Sequence, residues 1–390
     1  MKAIHFGAGS IGRGFIGDLL NEAGYAITFV DVNEQLNAQI NQDSGYDLYI
    51  IEENFNRKFI GNVSARSPVT DKDDIIALFP LADVITTSVW ADNLPRIAPL
   101  ILAGLKERRR RSLDTINVIV CENAWFNGAI LRREILKLDP QLTADELDAM
   151  ARFPNTAVDR LVLNSRRAGK DTVDIGIEHE LVIDRTGLAD PAGRPISGAI
   201  YTDNLQKYLE RKLYIINGGH AWAGYIGYVR GYDIIQDVFN NGELVAEVKS
   251  AMLETANLLH EKYDFPLDEL TDYIDFAIGR FKTPGIKDTI ARVCRSPIRK
   301  LAPDDRLTAP CVQCENAGLN NEKLLTGIAA ALLFDNPDDG QCRELQQAIK
   351  EQGIGVALTR YTGITADSRM YNIIMGEYSE LKKIKATLRN

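Results

Sequence analysis

The chain has 390 residues, 45% of them hydrophobic and 25% charged, a composition that suits two globular domains with ample core. Its formal net charge of −9 makes duplex nucleic acid a poor partner, because such proteins carry a basic face. The longest uncharged apolar run, residues 324–334, is too short to span a bilayer, so no membrane role is expected. Five cysteines are widely spread, with a lone Cys311-x-x-Cys314 that reads as two ordinary thiols. That usage fits a reducing cytoplasm, and Met1 is followed so closely by a strand that no signal peptide is expected.

Lys2–Phe6 reads as a short strand, and Gly7-Ala8-Gly9-Ser10-Ile11-Gly12 follows it. Ile11, Phe15, Leu19 and Leu20 then mark a helix, and Ala26–Val30 a second strand ending at Asp31. Gly7 permits the tight turn, Gly9 lets backbone approach a pyrophosphate, and Gly12 lets the helix pack on the strand. Ser10 and Ile11 open the helix, whose free N–H groups and positive end favour phosphate. Asp31 stands 19 residues after Gly12, where a carboxylate accepts from the ribose hydroxyls and repels a 2′-phosphate. Strand, glycines, helix, strand and acid together predict a Rossmann-type domain binding NAD rather than NADP. Arg13 reads equally as a pyrophosphate neighbour or an exposed helix residue.

Residues 46–66 alternate like strands around Gly61-Asn62 and are expected to form a small antiparallel insertion. Residues 81–89 read as a buried strand, 95–105 as a helix and 116–121 as a further strand ending at Glu122-Asn123. Arg108 to Arg111 are expected at a solvated helix end. Asn123, at a strand end on the ligand side, can donate to a reacting oxygen or to a nicotinamide carboxamide. It can equally cap the helix near Asn127. The turn-rich stretch with Gly187, Pro191, Gly193 and Pro195 suggests domains at 1–192 and 193–390, the second mostly helical.

In that second part Lys212-Leu-Tyr-Ile-Ile-Asn217-Gly218-Gly219-His220 holds a proton acceptor, an amide and an imidazole. On an α-helix Asn217 would sit about 140° and His220 about 80° from Lys212, on one broad face roughly 12 Å long. The two glycines suggest close passage of substrate or nicotinamide. The same pattern also suits a core helix with a snorkelling lysine and a satisfied histidine. Val245, Val248, Met252, Ala256 and Leu259 mark a helical stripe, as do Leu324, Ile328, Ala331 and Leu332. Trp222, Tyr225 and Tyr228 read as core. Residues 280–306 carry eight basic side chains, an excess informative in an acidic protein. Arg292, Arg295 and Arg299 are first choices for gripping a substrate phosphate, salt bridges with Asp288, Asp304 and Asp305 being the alternative.

With Lys-x4-Asn-x2-His after a dinucleotide fold, the sequence resembles the polyol-specific long-chain dehydrogenases. The resemblance runs over nearly the whole chain, from Phe6–Gly14 through Cys121-Glu122-Asn123, Ala157-Val158-Asp159-Arg160 and Thr202-Asp203-Asn204 to Pro297-Ile298-Arg299-Lys300-Leu301. It implies an NAD-dependent oxidoreductase acting on a secondary alcohol without a metal. Lys212 would match the acid–base lysine, Asn217 and Asn123 the amides that polarise the reacting oxygen, and His220 the substrate-orienting histidine. Asp159 would lie with the substrate. A free lysine has a pKa near ~10.4, and burial or a cationic nicotinamide ring would bring it nearer neutrality. The hexitol-phosphate branch fits best, although Phe153-Pro154-Asn155 and Asn127-Gly128 resemble members acting on free polyols or hexuronates, and Asn217-Gly218-Gly219-His220-Ala221-Trp222 differs from the pattern of the phosphate-specific branch. From another class, a catalytically silent NAD-binding sensor would need only the nucleotide half. Whether monomer or small homo-oligomer, the partner expected is a small polyol or sugar phosphate.

Overall fold

The computed structural model describes residues 1–283 and 287–388, and the chain forms two compact units, Met1–Tyr208 and Leu209–Asn390. The last strand of the first unit, Ile200–Thr202, hydrogen-bonds to its sheet.

Strands of the first unit are, in chain order, β1 (Lys2–Phe6), β2 (Ala26–Val30), β3 (Gly45–Ile50), β4 (Asn56–Gly61), β5 (Val63–Arg66) and β6 (Val84–Thr87). They continue with β7 (Ile116–Val120), β8 (Ala151–Arg152), β9 (Thr156–Arg167), β10 (Lys170–Asp184) and β11 (Ile200–Thr202). One sheet has the order β5-β2-β1-β6-β7-β8, with every pair parallel. Its order reverses on either side of β1, and ligands bind beyond the carboxyl ends of strands at such a point. Val30, Val84, Ile85, Val118 and Ile119 are buried, as strands covered on both faces require. One face packs on the helices Lys72–Leu78, Leu94–Arg110 and Asn127–Leu138 through Ile75, Ile101, Leu105, Leu131 and Ile135. The other packs on Phe15 and Leu19, and through them on Tyr46, Leu48, Val173 and Ile175 of the second sheet.

Residues 46–66 differ from the expected insertion. β3 and β4 do pair antiparallel, from Gly45↔Gly61 to Ile50↔Asn56. β5, however, pairs parallel with β2 and belongs to the first sheet. Asn62, at φ +59°, turns the chain from one sheet into the other rather than closing a hairpin. The ribbon of β9 and β10 was not signalled by alternation: β9 is half-buried along most of its length, so neither face reads as apolar. Arg108 is also not solvated. It is 8% exposed, and its guanidinium donates to the carbonyls of Phe79, Ala82 and Asp114, while Arg109 to Arg111 are exposed as expected.

The second unit is helical. Its longest helix, Gly242–Tyr263, buries Val248, Met252, Ala256 and Leu259, and Glu322–Leu332 buries Leu324, Ile328, Ala331 and Leu332. Trp222 and Tyr225 are core side chains at 1% and 0% exposure, and Tyr228 is half-buried. Among the described residues no helix is long and apolar enough to cross a membrane.

Candidate functional site

Each glycine of the first-unit motif has a distinct physical reason. Gly7 has φ +101°, and a Cβ there would meet the Ser88 carbonyl oxygen at 2.5 Å. At Gly12 a Cβ would collide with the Gly7 carbonyl oxygen, so only glycine lets the helix start so near β1. Around the Cβ position of Gly9 there is no protein atom within 4 Å, which leaves room for a phosphate to approach the backbone. Ser10 and Ile11 are half-buried at the helix start, which widens into a π turn over Gly12–Ile16. Asp31 Oδ2 accepts from Ala8 N–H at 2.6 Å and Oδ1 from Asn33 N–H at 2.8 Å. The carboxylate thus fixes the glycine turn, and its remaining lone pairs can accept ribose hydroxyls. An open cradle at Gly9 and an acceptor at the end of β2 fit a dinucleotide. Arg13 is not an exposed helix residue: it is 3% exposed beneath the turn.

The ends of β1, β6 and β7 are tied by buried polar groups. His5 Nδ1 lies 2.6 Å from Thr86 Oγ1 and Nε2 2.8 Å from Ser88 Oγ. Burial pushes His5 down to about 3, so the ring is neutral. Glu122 accepts from Thr87 O–H at 2.9 Å and from the N–H groups of Val89 and Trp90, both at 2.8 Å. Burial pushes its pKa up, and those three donors pull it back. They hold Trp90 at φ +73° with 80% of its surface exposed. Sequence reasoning passed over Glu122, although an acid just past a buried strand was a usable signal. Asn123 is exposed at the carboxyl end of β7. It is not the cap of the next helix, where Phe126 occupies the N-cap and Asn127 ties Glu122 O, Thr156 and Gly128 together. Asp159 is half-buried on β9, opposite Glu180 of β10.

In the second unit Lys212–Gly218 is a π turn, not the α-helix expected, and Gly219–Val229 continues as α-helix. A π turn closes i→i+5 bonds, so it brings Lys212 and Asn217 nearer one line than the α-helical spacing would. Both are half-buried, as is His220. Both glycines are packed closely against the protein. A Cβ on Gly219 would meet Met252 Cγ and Sδ at 2.8 Å, and one on Gly218 the Arg306 carbonyl oxygen at 3.2 Å. His220 stacks on Phe281, with centroids 4.3 Å apart and planes at 10°. Burial pushes it down to about 4; Asp288 opposes this, and Arg292, Arg280 and Lys300 add to it.

The basic stretch therefore acts electrostatically on His220. Arg292 is exposed and paired with Asp288. Arg295 and Arg299 are exposed as well. Lys300, one of the eight basic residues but not a first choice, is 4% exposed, and its ammonium donates to the Arg295 carbonyl oxygen. Burial pushes it down to about 7; Cys294 opposes this, while Arg306 and Arg299 add to it. Its signal was present, since Pro297, Lys300 and Leu301 form an i, i+3, i+4 buried face.

Residues 1–193 match the family model described as the mannitol dehydrogenase Rossmann domain, and residues 204–382 the mannitol dehydrogenase C-terminal domain. A Bacillus subtilis protein named mannitol-1-phosphate 5-dehydrogenase is 38% identical, covering 97% of this chain and 100% of its own. Proteins of the same name from Arthrobacter sp. and Caldanaerobacter subterraneus are 38% and 36% identical over 99% and 98% of this chain, and over 100% and 99% of their own. Among solved structures, a D-sorbitol dehydrogenase matches with TM-score 0.82 at 16% identity, covering 99% of this chain and 94% of its own. A Pseudomonas fluorescens mannitol 2-dehydrogenase matches with TM-score 0.68 at 18% identity, covering 100% and 94%. These last two show a shared fold.

Proposed function

The chain belongs to the mannitol dehydrogenase family, and from that premise we propose that it is an NAD-dependent mannitol-1-phosphate 5-dehydrogenase, interconverting mannitol 1-phosphate and fructose 6-phosphate. The full-length relatives carry that name, and the NAD solved with a structural neighbour has a fitting cradle here at Gly7, Gly9, Ser10, Ile11, Gly12 and Asp31. Five buried thiols suit a reducing cytoplasm.

Oxidising a secondary alcohol removes a proton from oxygen and a hydride from carbon. NAD, when bound, supplies the hydride acceptor. Lys212 takes the proton from the alcohol oxygen and returns it in the reverse direction. Asn217, brought toward Lys212 by the π turn, donates to that oxygen as charge develops, with Asn123 as the second donor. A donor of this kind is worth about 3 kcal/mol of barrier. His220, neutral and held flat against Phe281, orients a neighbouring hydroxyl as donor or acceptor. Asp159 is assigned to the substrate's hydroxyls.

The observation that carries the phosphate is a buried Lys300, on the short helix Pro297–Leu301, in a stretch where Arg292, Arg295 and Arg299 are exposed. A buried ammonium poised near neutrality gains most from a dianion beside it. The expected substrate grip is therefore Lys300 with Arg292, supported by Arg299 and, more weakly, Arg295. Steady-state turnover of mannitol 1-phosphate against free mannitol tests this. We expect a clear preference for the phosphate, and Lys300→Met to cut kcat/KM for it by roughly ten- to a hundredfold. Equal efficiency on both substrates refutes the phosphate grip and favours a free-polyol or hexuronate enzyme. No turnover over a polyol and ketose panel, with NADH still bound, favours a sensor.

A further inference from the structure

Beneath the glycine turn lies a cation that the reaction does not use. Arg13 is 3% exposed, and its Nε donates to the Ala8 carbonyl oxygen at 2.8 Å. Its Nη1 donates to the Asp171 carbonyl oxygen at 3.1 Å. Gln39 brackets the same β10 residue, donating to its carbonyl at 3.0 Å and accepting from its N–H at 2.9 Å. Tyr46 donates its hydroxyl to the Arg13 carbonyl oxygen at 2.9 Å. The guanidinium is therefore held from both sides and cannot swing away. Both of these guanidinium bonds go to backbone carbonyls. A buried cation so placed is expensive, a cost that the nearby Tyr46, Asp171 and Asp31 offset only in part.

Its partner in the turn explains the expense. The Gly7 and Ala8 amides are already engaged, with Val30 O at 2.9 Å and Asp31 Oδ2 at 2.6 Å. The next peptide joins Ala8 to Gly9. In a trans peptide the C=O and the following N–H point in opposite directions. With its carbonyl pinned inward by Arg13, this peptide must aim the Gly9 N–H outward, at the side where Gly9 is exposed. Asp31 and Arg13 thus fix two successive peptide planes from below.

We infer that Arg13 is a positioning residue for the dinucleotide: by holding the Ala8 carbonyl it presents the Gly9 N–H to the pyrophosphate, and its charge lies under the same phosphates. This rests on the dinucleotide reading above. The resemblance assigns the glycines and the acid and leaves this arginine without a role.

The test compares NADH, ADP and adenosine binding to the full-length enzyme and to Arg13→Met and Arg13→Lys, by fluorescence and calorimetry. Arg13→Met keeps the bulk and removes the donor. We expect it to weaken NADH and ADP about tenfold or more, with adenosine affinity unchanged within about twofold and the kinetic loss falling on the KM for NAD more than on kcat. Arg13→Lys keeps the charge without the fixed fork, so it should recover only part of the loss. A purely structural role would lower the melting temperature and weaken all three ligands alike, and that result overturns the inference. Wild-type affinity in both variants does the same. Should the variants not fold, amide hydrogen exchange on the wild type decides: ADP should slow exchange at Gly9, and an unaltered Gly9 amide in the ADP complex refutes the arrangement. Failure of the wild type to bind NADH would instead sink the dinucleotide reading itself.

Discussion

Lys212 carries the sharpest consequence at the scale of single residues. Its assignment as acid–base group predicts that Lys212→Ala lowers turnover by about 10²- to 10⁴-fold while leaving NADH affinity intact, because the cradle lies in β1, β2 and the turn between them. Stopped-flow turnover and NADH titration check both halves, and substantial retained activity ends the assignment. The pattern Lys-x4-Asn-x2-His could be named from sequence without knowing the local helix geometry, and its three residues lie on one continuous helical run, Lys212–Val229. The reason for the glycines between them was not legible: Met252 and the Arg306 backbone come from distant sequence, so nothing local announces their approach. Lys300 was obscured for a different reason. A lysine in a basic run reads as solvated, and only its place on a buried face reveals otherwise.

Elements divide into those specified locally and those specified by partners. The unit β1–turn–helix–β2 was readable because strand, glycines and acid are contiguous and each meets a backbone requirement within the same 30 residues. The placement of β5 was not readable, because a four-residue strand carries no mark of the sheet it will join. The π turn was likewise invisible, its apolar pattern being compatible with an α-helix. Two glycines of one element should part company under substitution. Gly9→Ala meets open space and should change stability by no more than about 0.5 kcal/mol, yet raise the KM for NAD severalfold by crowding the pyrophosphate. Gly12→Ala drives a methyl into the Gly7 carbonyl, where no flexible side chain can yield, and should cost about 1–3 kcal/mol. Urea unfolding and steady-state kinetics on the pair separate them. Equal stability loss in both would contradict the geometry of the turn.

At the scale of the whole molecule, each unit holds one histidine kept neutral by desolvation, buried His5 and half-buried His220, and both contribute to its response to acid. His5 in the first unit is pushed down to about 3 and His220 in the second to about 4. In the unfolded chain both titrate near 6.5. Between those limits the unfolded state binds more protons than the folded one, so stability is complete above about pH 6.5 and falls as the pH drops. Each histidine contributes a slope of roughly 1.4 kcal/mol per pH unit across its window. Glu122 and Glu254 are pushed up by burial and act in the opposite sense, binding protons more tightly when folded. The absolute slope is therefore a poor test, and a difference is a good one. His5→Gln keeps hydrogen-bonding groups that can reach Thr86 and Ser88 but cannot titrate. The variant will be less stable at neutral pH if its amide fits poorly, but that loss does not depend on pH. Between pH 7 and pH 5 the wild type should lose about 2 kcal/mol more stability than His5→Gln. Urea unfolding at the two pH values, read in the transition of the first unit if the units unfold separately, measures that difference. Identical losses in the two proteins would mean that His5 is not the neutral, buried strut of β1 and β6.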